Sequence, residues 1–286
     1  MKKLLATIAI LALLVPFMVS CDGEVTTGTA PEPPLRQPVR TVIELQGDNV
    51  DIDGNGATWG DRRLVIDRPG VFTLSGDLYD GIIVVDVLRT EQVELVLNNV
   101  TISNSSTALV HVIDADRVYF TMPEGTLNVF TDAYFYTFED GEARPHSAIY
   151  SRRDITFRGG GKLMVNANYR NGIWSARRVR INDSYVVIDA THNGIRARDS
   201  IRFDNANVFV ESGSDGLRVT SEEEADNRGF IRIDGSEVTI IAADDGMQFR
   251  GRIDIASSSV TVTAGNRILN SRDAVINIQQ GNLIER

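Results

Sequence analysis

The stretch NGIWSARRVRINDSYVVIDATHNGIRARDSIRFDNANVFVESGSDGLRV, residues 171–219, contains one pattern twice and begins it a third time. The tripeptide Asn-Gly-Ile at 171–173 returns at 193–195, and the same interval later the chain has Asp-Gly-Leu at 215–217. Asp-Gly-Met follows at 245–247, one period plus eight residues further on. A fixed period of about this length is typical of solenoid proteins, in which each repeat packs only on its neighbours.

Apolar residues keep the same step between these tripeptides. They alternate with polar residues in short β-rich runs, which predicts strands with every second side chain turned inward. The extra eight residues fall within SEEEADNR at 221–228, an acidic insertion that leaves the register on both sides intact. The aligned apolar sets are Val179, Ile181, Val186 and Ile188; Ile201, Phe203, Val208 and Val210; Ile231, Ile233, Val238 and Ile240; and Ile253, Ile255, Val260 and Val262.

A unit of this kind cannot close a hydrophobic core alone, so neighbouring units must stack. Leucine-rich repeats have periods in the same range, but their leucine and asparagine pattern is missing here. We therefore predict an all-β fold, a single-stranded parallel β-helix whose rungs lie about 4.8 Å apart, with a right-handed coil as parallel crossovers favour. Residues 107–122 and 146–167 are interpreted as earlier rungs, 134–145 as a lateral loop, and 39–80 as an N-terminal cap.

The start of the chain carries an export signal. Residues 1–20 join the basic segment MKK to an apolar run that ends in small residues, as in a bacterial signal peptide. Cys21, the sole cysteine, follows at once and resembles a lipoprotein processing site, the alternative being an ordinary signal peptide with an incidental cysteine. Residues 21–38 predict a flexible tether before a domain at 39–286. We expect an exported protein, lipid-anchored to the cell membrane on its extracytoplasmic face, at the cell surface.

The charge balance restricts the partners. The formal net charge is -10, which disfavours nucleic acid as a partner. Lysine occurs only at Lys2, Lys3 and Lys162, so 26 of the 29 basic residues are arginine. The planar guanidinium group binds carboxylates through two parallel hydrogen bonds, which an ammonium group does poorly. We expect a monomer that binds no nucleic acid.

The Asp/Asn-Gly-Ile starts of the rungs, the acidic insertion, and LVIDRPGVFTLSGDLYDGIIVV at 64–85 together resemble a family of bacterial surface carbohydrate-binding β-helix domains. Members of that family are often lipoproteins and are similar in fold to polygalacturonate (pectate) lyases. The resemblance runs from about residue 43 to residue 265. It implies binding of pectic or other plant-type polysaccharide, with calcium held by aspartates at the rung starts. Asn171 and Asn193 depart from this pattern and reduce the charge available to a metal.

Equal positions of stacked rungs form columns, so acidic residues one period apart should meet. Asn193, Asp215 and Asp245 fall in one column and Asp244 in the column beside it. Calcium takes about six to eight oxygen ligands and would relieve the repulsion between stacked carboxylates. We expect calcium as a cofactor, with these four residues as candidate ligands. The alternative, which we favour for Asn171 and Asn193, is that Asp and Asn before Gly only stabilise a turn.

A second column should face outward, at the residue after each rung-start isoleucine. It contains Tyr150, Trp174, Arg196 and Arg218, and Gln248 follows them. Aromatic rings stack on sugar rings, and arginine binds uronate carboxylates. A spacing near 4.8 Å per rung is also close to a sugar repeat. These four residues are therefore the candidate carbohydrate-binding residues, the alternative being a packed surface ladder.

No catalytic residue is predicted. A lyase needs a base for the proton next to the uronate carboxylate, typically Lys or Arg in the fold that the chain resembles. Lys162 lies in a GGGK corner, an improbable place, which leaves Arg196 or Arg218. A hydrolase needs two carboxylates in an open cleft, which only Asp215 with Asp244 or Asp245 offers. We therefore predict non-catalytic, calcium-assisted binding of an acidic polysaccharide, with a lyase or hydrolase on uronate polymers, or a structural envelope scaffold or adhesin, as alternatives.

Overall fold

The structure is a computed structural model, and it describes residues 36–138, 144–221, 228–271 and 275–285. The expected signal peptide, the lipidation site Cys21, all but the end of the tether, residues 139–143 of the lateral loop, and residues 222–227 of the acidic insertion lie outside these ranges. Within these ranges all secondary-structure elements are β-strands. That part of the chain accordingly has no helix of the length and apolarity that crossing a membrane requires.

The described chain begins with two antiparallel hairpins. β1 (Val39–Gly47) pairs with β2 (Asn49–Asp53), and β3 (Ala57–Gly60) pairs with β4 (Arg63–Ile66). Parallel stacking starts in the same region, because β1 also pairs in parallel with β5 (Gly70–Tyr79) along its whole length. The segment predicted to be a cap thus already contains the first stacked strands.

Three ladders of parallel strands follow. The first belongs to a ten-stranded sheet, which β3 and β4 begin, and the other two are the halves of an eighteen-stranded sheet. β7 (Gln92–Ser103) joins these halves, because its start pairs with the second ladder and its end with the third. The first ladder continues through β6 (Ile82–Asp86), β8 (Val110–Asp114), β11 (Ser147–Ser151), β14 (Asn171–Ser175), β17 (Ile195–Ala197), β20 (Leu217–Val219), β23 (Met247–Gln248) and β26 (Leu269–Asn270).

The other two ladders each contribute one strand to every complete rung. The second ladder contains β9 (Arg117–Thr121), β12 (Asp154–Arg158), β15 (Arg178–Asn182), β18 (Ser200–Asp204), β21 (Phe230–Asp234), β24 (Arg252–Ala256) and β27 (Val275–Gln279). The third contains β10 (Leu127–Thr131), β13 (Lys162–Ala167), β16 (Tyr185–Ala190), β19 (Asn207–Ser212), β22 (Glu237–Ala242), β25 (Ser259–Ala264) and β28 (Asn282–Glu285).

The predicted register is confirmed. Val179 aligns with Ile201 and Ile201 with Ile231, and the same two steps, the regular one and the longer one, also hold in the third ladder. The insertion lies between β20 and β21 and leaves the pairing on both sides unbroken. The inward side chains form one apolar core along the solenoid, with Phe120, Phe157 and Phe203 fully buried. Complete burial of such a side chain contributes roughly 1.5–3 kcal/mol, so stacking of rungs accounts for most of the stability.

The glycine at each rung start is required by packing rather than by a left-handed backbone. None of Gly172, Gly194, Gly216 and Gly246 has a positive φ. A Cβ atom at Gly194 would lie 2.1 Å from Val210 Cγ1 and 2.8 Å from the carbonyl oxygen of Gly216. The other three glycines are equally close to an aliphatic side chain and to a carbonyl oxygen of the next rung. The corner therefore has no space for a side chain at this position.

Candidate carbohydrate-binding face

Polar side chains form a buried column just before these glycines. Asn171, Asn193, Asp215 and Asp245 are each at most 2% exposed. Asn193 Nδ2 donates a hydrogen bond to Asn171 Oδ1 at 2.8 Å, and the Asp215 backbone N–H donates to Asn193 Oδ1 at 3.4 Å. The two asparagines thus link one rung to the next rather than closing their own turns. Asn193 already uses both ends of its amide, so calcium binding there would require its oxygen to leave the Asp215 N–H.

Three of the four candidate metal ligands are brought together. Asp215, Asp244 and Asp245 each place a carboxylate oxygen within 4.8 Å of the others, with Asp244 exposed and the other two buried. We call these three residues the acidic cluster. Burial raises the pKa of Asp215, although the Arg218 guanidinium donates to this carboxylate at 3.0 Å and opposes the rise. Three carboxylates beside one guanidinium leave an excess of negative charge that a bound cation would compensate.

Side-chain amides from the rung of Asp245 and from the following rung surround the acidic cluster. The Asp245 carboxylate accepts hydrogen bonds from Asn270, from Asn266 at 3.1 Å and from Gln248 at 3.4 Å. Asn266 also donates to Asp244 at 3.2 Å. Rotating each terminal amide group by about 180° would direct its oxygen, instead of its nitrogen, towards the acidic cluster. Three carboxylates and three amides provide the number and kind of oxygen ligands that calcium takes, so the residues present fit this ion.

Asn270 had not been expected in this group. It lies one period after Gln248, in the same outward column, and that spacing was the available signal. The spacing places it beside Gln248 but does not show that it reaches Asp245. Only the packed side chains reveal that contact.

The outward column has the predicted alignment. Tyr150 pairs with Trp174, Trp174 with Arg196, and Arg196 with Arg218. The rings of Tyr150 and Trp174 stack with their centroids 4.5 Å apart and an interplanar angle of 12°. Each ring therefore gives one of its two faces to the other, which leaves less aromatic surface for sugars than two separate rings would offer.

Arg196 is the least compensated charge of this column. It lies half-buried between Trp174 and Arg218, and its Nε–H is buried without a hydrogen-bond acceptor. No ion pair of Arg196 is found in the part of the chain that the structure describes. Burial and the positive charges of Arg218 and Arg170 lower its pKa, and burial and Arg170 likewise lower the pKa of nearby His192. A negatively charged ligand at this position would compensate the charge of the half-buried guanidinium group.

The described start of the lateral loop, residues 134–138, covers the N-terminal part of the same face together with Ala133. Ala133 and Tyr136 pack on Ile82 and Val84, so that Val84 is only 3% exposed although it occupies the outward column. The Tyr136 hydroxyl donates to Asp132 at 2.5 Å. Burial raises the pKa of Asp132 to about 6, against the lowering effect of this hydrogen bond. The open part of the face thus runs from Tyr150 to Asn270, a limit that the repeat pattern did not indicate.

Comparison with known proteins identifies the family. The family described as carbohydrate-binding domain-containing protein matches residues 60–282. A protein of the same description from Acetivibrio thermocellus is 35% identical over 191 residues, which are 66% of this chain and 65% of that protein's length. The solved structure of the polysaccharide lyase-like protein from C. thermocellum, a gadolinium derivative, is similar with a TM-score of 0.80 and 32% identity, covering 87% of this chain and 100% of that chain. The chain belongs to the family of carbohydrate-binding domain-containing proteins.

Proposed function

We propose that the protein binds an acidic polysaccharide, without cleaving it, along the open part of the ten-stranded sheet from Tyr150 to Asn270. Family membership supports a carbohydrate ligand. The acidic character of that ligand rests on one observation, the half-buried Arg196 guanidinium with an unbonded Nε–H and no described ion pair. Because the Nε itself is buried, a uronate carboxylate would pair with the rest of this half-buried guanidinium group, an interaction that contributes up to about 1 kcal/mol.

Calcium is the proposed cofactor, and the acidic cluster with its surrounding amides supports it. The ion would neutralise the cluster and offer its remaining coordination positions to oxygens of the polymer. Asp215 belongs to the acidic cluster and also contacts the outward column, because its carboxylate accepts the hydrogen bond from Arg218. Polymer binding and calcium binding are therefore expected to support each other.

The proposed location is the outer surface of the cell membrane, reached by export and held by a lipid at Cys21. The order of basic segment, apolar run and cysteine supports this assignment. We expect the full chain to be recovered in the membrane fraction and the Cys21→Ser variant to be released from it. Equal membrane recovery of the two would contradict lipid anchoring. We also propose that the protein is monomeric, which light scattering of the purified chain measures.

Retention of the purified chain on polygalacturonate, with and without calcium, tests the binding function. Arg196→Gln should weaken retention about threefold, because an exposed or half-exposed ion pair contributes up to about 1 kcal/mol. It should leave retention on fully methyl-esterified pectin unchanged, since that polymer carries no carboxylate. Arg68→Gln, which removes an exposed arginine in the turn after β4, outside the stretch from Tyr150 to Asn270, is the charge-matched control. Equal retention of all three proteins on the acidic polymer would contradict the proposed site.

The same incubation separates binding from catalysis. Release of unsaturated or shortened products would assign a lyase or hydrolase activity instead, which the comparison with a polysaccharide lyase-like protein makes worth measuring. Retention on none of a panel of glycans would favour a structural scaffold.

A further inference from the structure

The second ladder carries an outward concentration of positive charge. Its strands from β9 to β24 contain seven arginines against four aspartates, a local balance of +3 in a chain with net charge -10. None of the seven arginines is buried. We call the outward side of these strands the arginine face. Its arginines are Arg117, Arg158, Arg178, Arg180, Arg202, Arg232 and Arg252.

Three of these arginines lie in a single row along the solenoid. Arg180 aligns with Arg202 across β15 and β18, and Arg202 with Arg232 across β18 and β21. Successive members are about 4.8 Å apart along the axis. Burial and the charges of nearby arginines lower the pKa of both Arg180 and Arg202. The fold therefore holds like charges together at a net cost to the ionised groups.

The aspartates of this face compensate the positive charges of the three arginines in the row to different degrees. Arg232 pairs with Asp234 at 2.7 Å. Arg180 reaches Asp154 only at 3.8 Å, and its buried Nη1 has no hydrogen-bond acceptor. Arg202 has no ion pair among the residues that the structure describes, and its buried Nε also has no acceptor. The least compensated positive charge is thus concentrated at two adjacent positions of the row, Arg180 and Arg202.

The guanidinium group of Arg202 is held in place by an aromatic ring. Its Cζ atom lies 4.8 Å from the centroid of Phe230, and the Cζ atom of Arg252 lies 5.0 Å from the same centroid. Phe230 itself is only 2% exposed, so it offers a fixed surface. A guanidinium group that is already positioned loses less freedom when it binds a carboxylate.

Concave surfaces flank the row at both ends. A cavity of about 280 Å³ includes Tyr119 and Arg158 in its lining, and one of about 220 Å³ includes Arg232 and Asn277. The row connects them along the axis of the solenoid. The arginine face therefore offers an elongated path rather than one enclosed pocket, which suits an extended polymer.

We propose that the arginine face is a second polysaccharide-binding surface, which binds a polyuronate through its repeated carboxylates without calcium. The identity of the polymer rests on the proposed function, whereas the existence of an anion-binding surface rests on the row itself. Carboxylates recurring along the polymer would pair with the half-buried guanidinium groups of Arg180 and Arg202, whose charge the aspartates of this face compensate least. Because this face and the ten-stranded sheet are separate surfaces of the solenoid, one molecule can hold two polymer chains.

Retention of the full chain on polygalacturonate in chelator and low salt tests this surface. Arg180→Gln combined with Arg202→Gln should lower retention about fivefold, since two surface ion pairs together contribute about 1 kcal/mol. Arg68→Gln combined with Arg89→Gln, which removes two exposed arginines elsewhere, should change it little. Arg202→Lys keeps the charge but loses the planar fork, and it should give an intermediate result. Thermal unfolding of each variant establishes that it is folded.

The outcomes distinguish the two proposals. Equal retention of the double variant and its control overturns the second surface, as does wild-type retention that requires calcium. Absence of wild-type retention with calcium as well overturns the proposed function and this inference together. Light scattering gives an independent reading of two occupied surfaces. Wild-type protein should cross-link the polymer, whereas Arg196→Gln and the Arg180/Arg202 double variant should each reduce the scattering, and unchanged scattering in the double variant overturns the proposal.

Discussion

The two halves of the eighteen-stranded sheet share their inward side and differ in their outward side. Strands β5 and β7 run through both halves, and both halves bury aliphatic and aromatic side chains in one core. Outward, the second ladder has a balance of +3, while the third ladder from β10 to β28 has one lysine against four acidic residues, a balance of -3. Packing therefore constrains the inward positions strictly, whereas outward positions are free to acquire a charge that suits a ligand.

The outward side of the third ladder has no concentration of positive charge and exposes apolar side chains instead. Leu127, Tyr185 and Ile241 are between 37% and 48% exposed there. The one lysine, Lys162, places its Nζ 4.4 Å from the centroid of the Tyr185 ring. A polyanion would be repelled by the net negative charge of this ladder. The difference between the halves thus identifies the second ladder as the side that suits an acidic polymer.

The largest effect is expected for an inward substitution at a rung start. Gly194→Ala should lower the free energy of unfolding by about 3 kcal/mol or more, because the new Cβ would overlap Val210 and the next rung. Arg152→Ala, at an exposed outward position, should change it by less than about 0.5 kcal/mol. Urea unfolding measures both. Similar losses of unfolding free energy in the two variants would contradict the distinction between inward and outward positions.

The next effect depends on pH and arises under the lateral loop. Because burial raises the pKa of Asp132 to about 6, protonated Asp132 stabilises the folded state, and this contribution is lost as pH rises from about 4 through 6. We expect a loss on the order of 2–3 kcal/mol over this range. Asp132→Asn should lose less between pH 4 and pH 7 in urea unfolding. Parallel pH profiles for the two proteins would contradict the role of this carboxyl group.

A third effect should reverse its sign with calcium. Without calcium, Asp244→Asn should be at least as stable as the wild type, because it removes one of three neighbouring carboxylates. With calcium at a hundred times its dissociation constant, the wild type should gain about 2.7 kcal/mol, and the variant should gain less. Asp189→Asn on the third ladder is the charge-matched control. Equal calcium-induced shifts of the melting temperature in all three proteins would show that calcium does not bind at the acidic cluster.

The smallest effect compares the two halves directly. Arg202→Gln should weaken retention on polygalacturonate in chelator about twofold to threefold, whereas Glu211→Gln on the third ladder should not weaken it. The two positions are exposed to solvent in different degrees, half-buried for Arg202 and exposed for Glu211, but each substitution removes one charge. Because Arg202→Gln lowers the net charge by one and Glu211→Gln raises it by one, a strengthening by Glu211→Gln equal in size to the weakening by Arg202→Gln would show that net charge, rather than the arginine face, governs binding.

Much of the candidate site was predictable because the spacing of residues specifies their neighbours. The regular step places Arg196 beside Arg218, and the longer step across the insertion brings Asp245 next to Asp215. The same steps join Arg180, Arg202 and Arg232, so the arginine row was visible in the sequence, although the prediction considered only the columns near the rung starts. The stacking of Tyr150 on Trp174 was not predictable, since it depends on which rotamers the packed rings adopt.

The repeat period in the sequence is sufficient to predict the fold and its register. A constant period translates directly into structure, because backbone hydrogen bonds between rungs hold equal positions of successive repeats side by side. Which of the aligned side chains act together depends instead on tertiary contacts. The lateral loop that covers Val84, the amides that surround Asp245 and the guanidinium groups left without acceptors all depend on side-chain contacts that no spacing rule contains. Register is a property of the repeating backbone, whereas the site is a property of the side chains packed upon it.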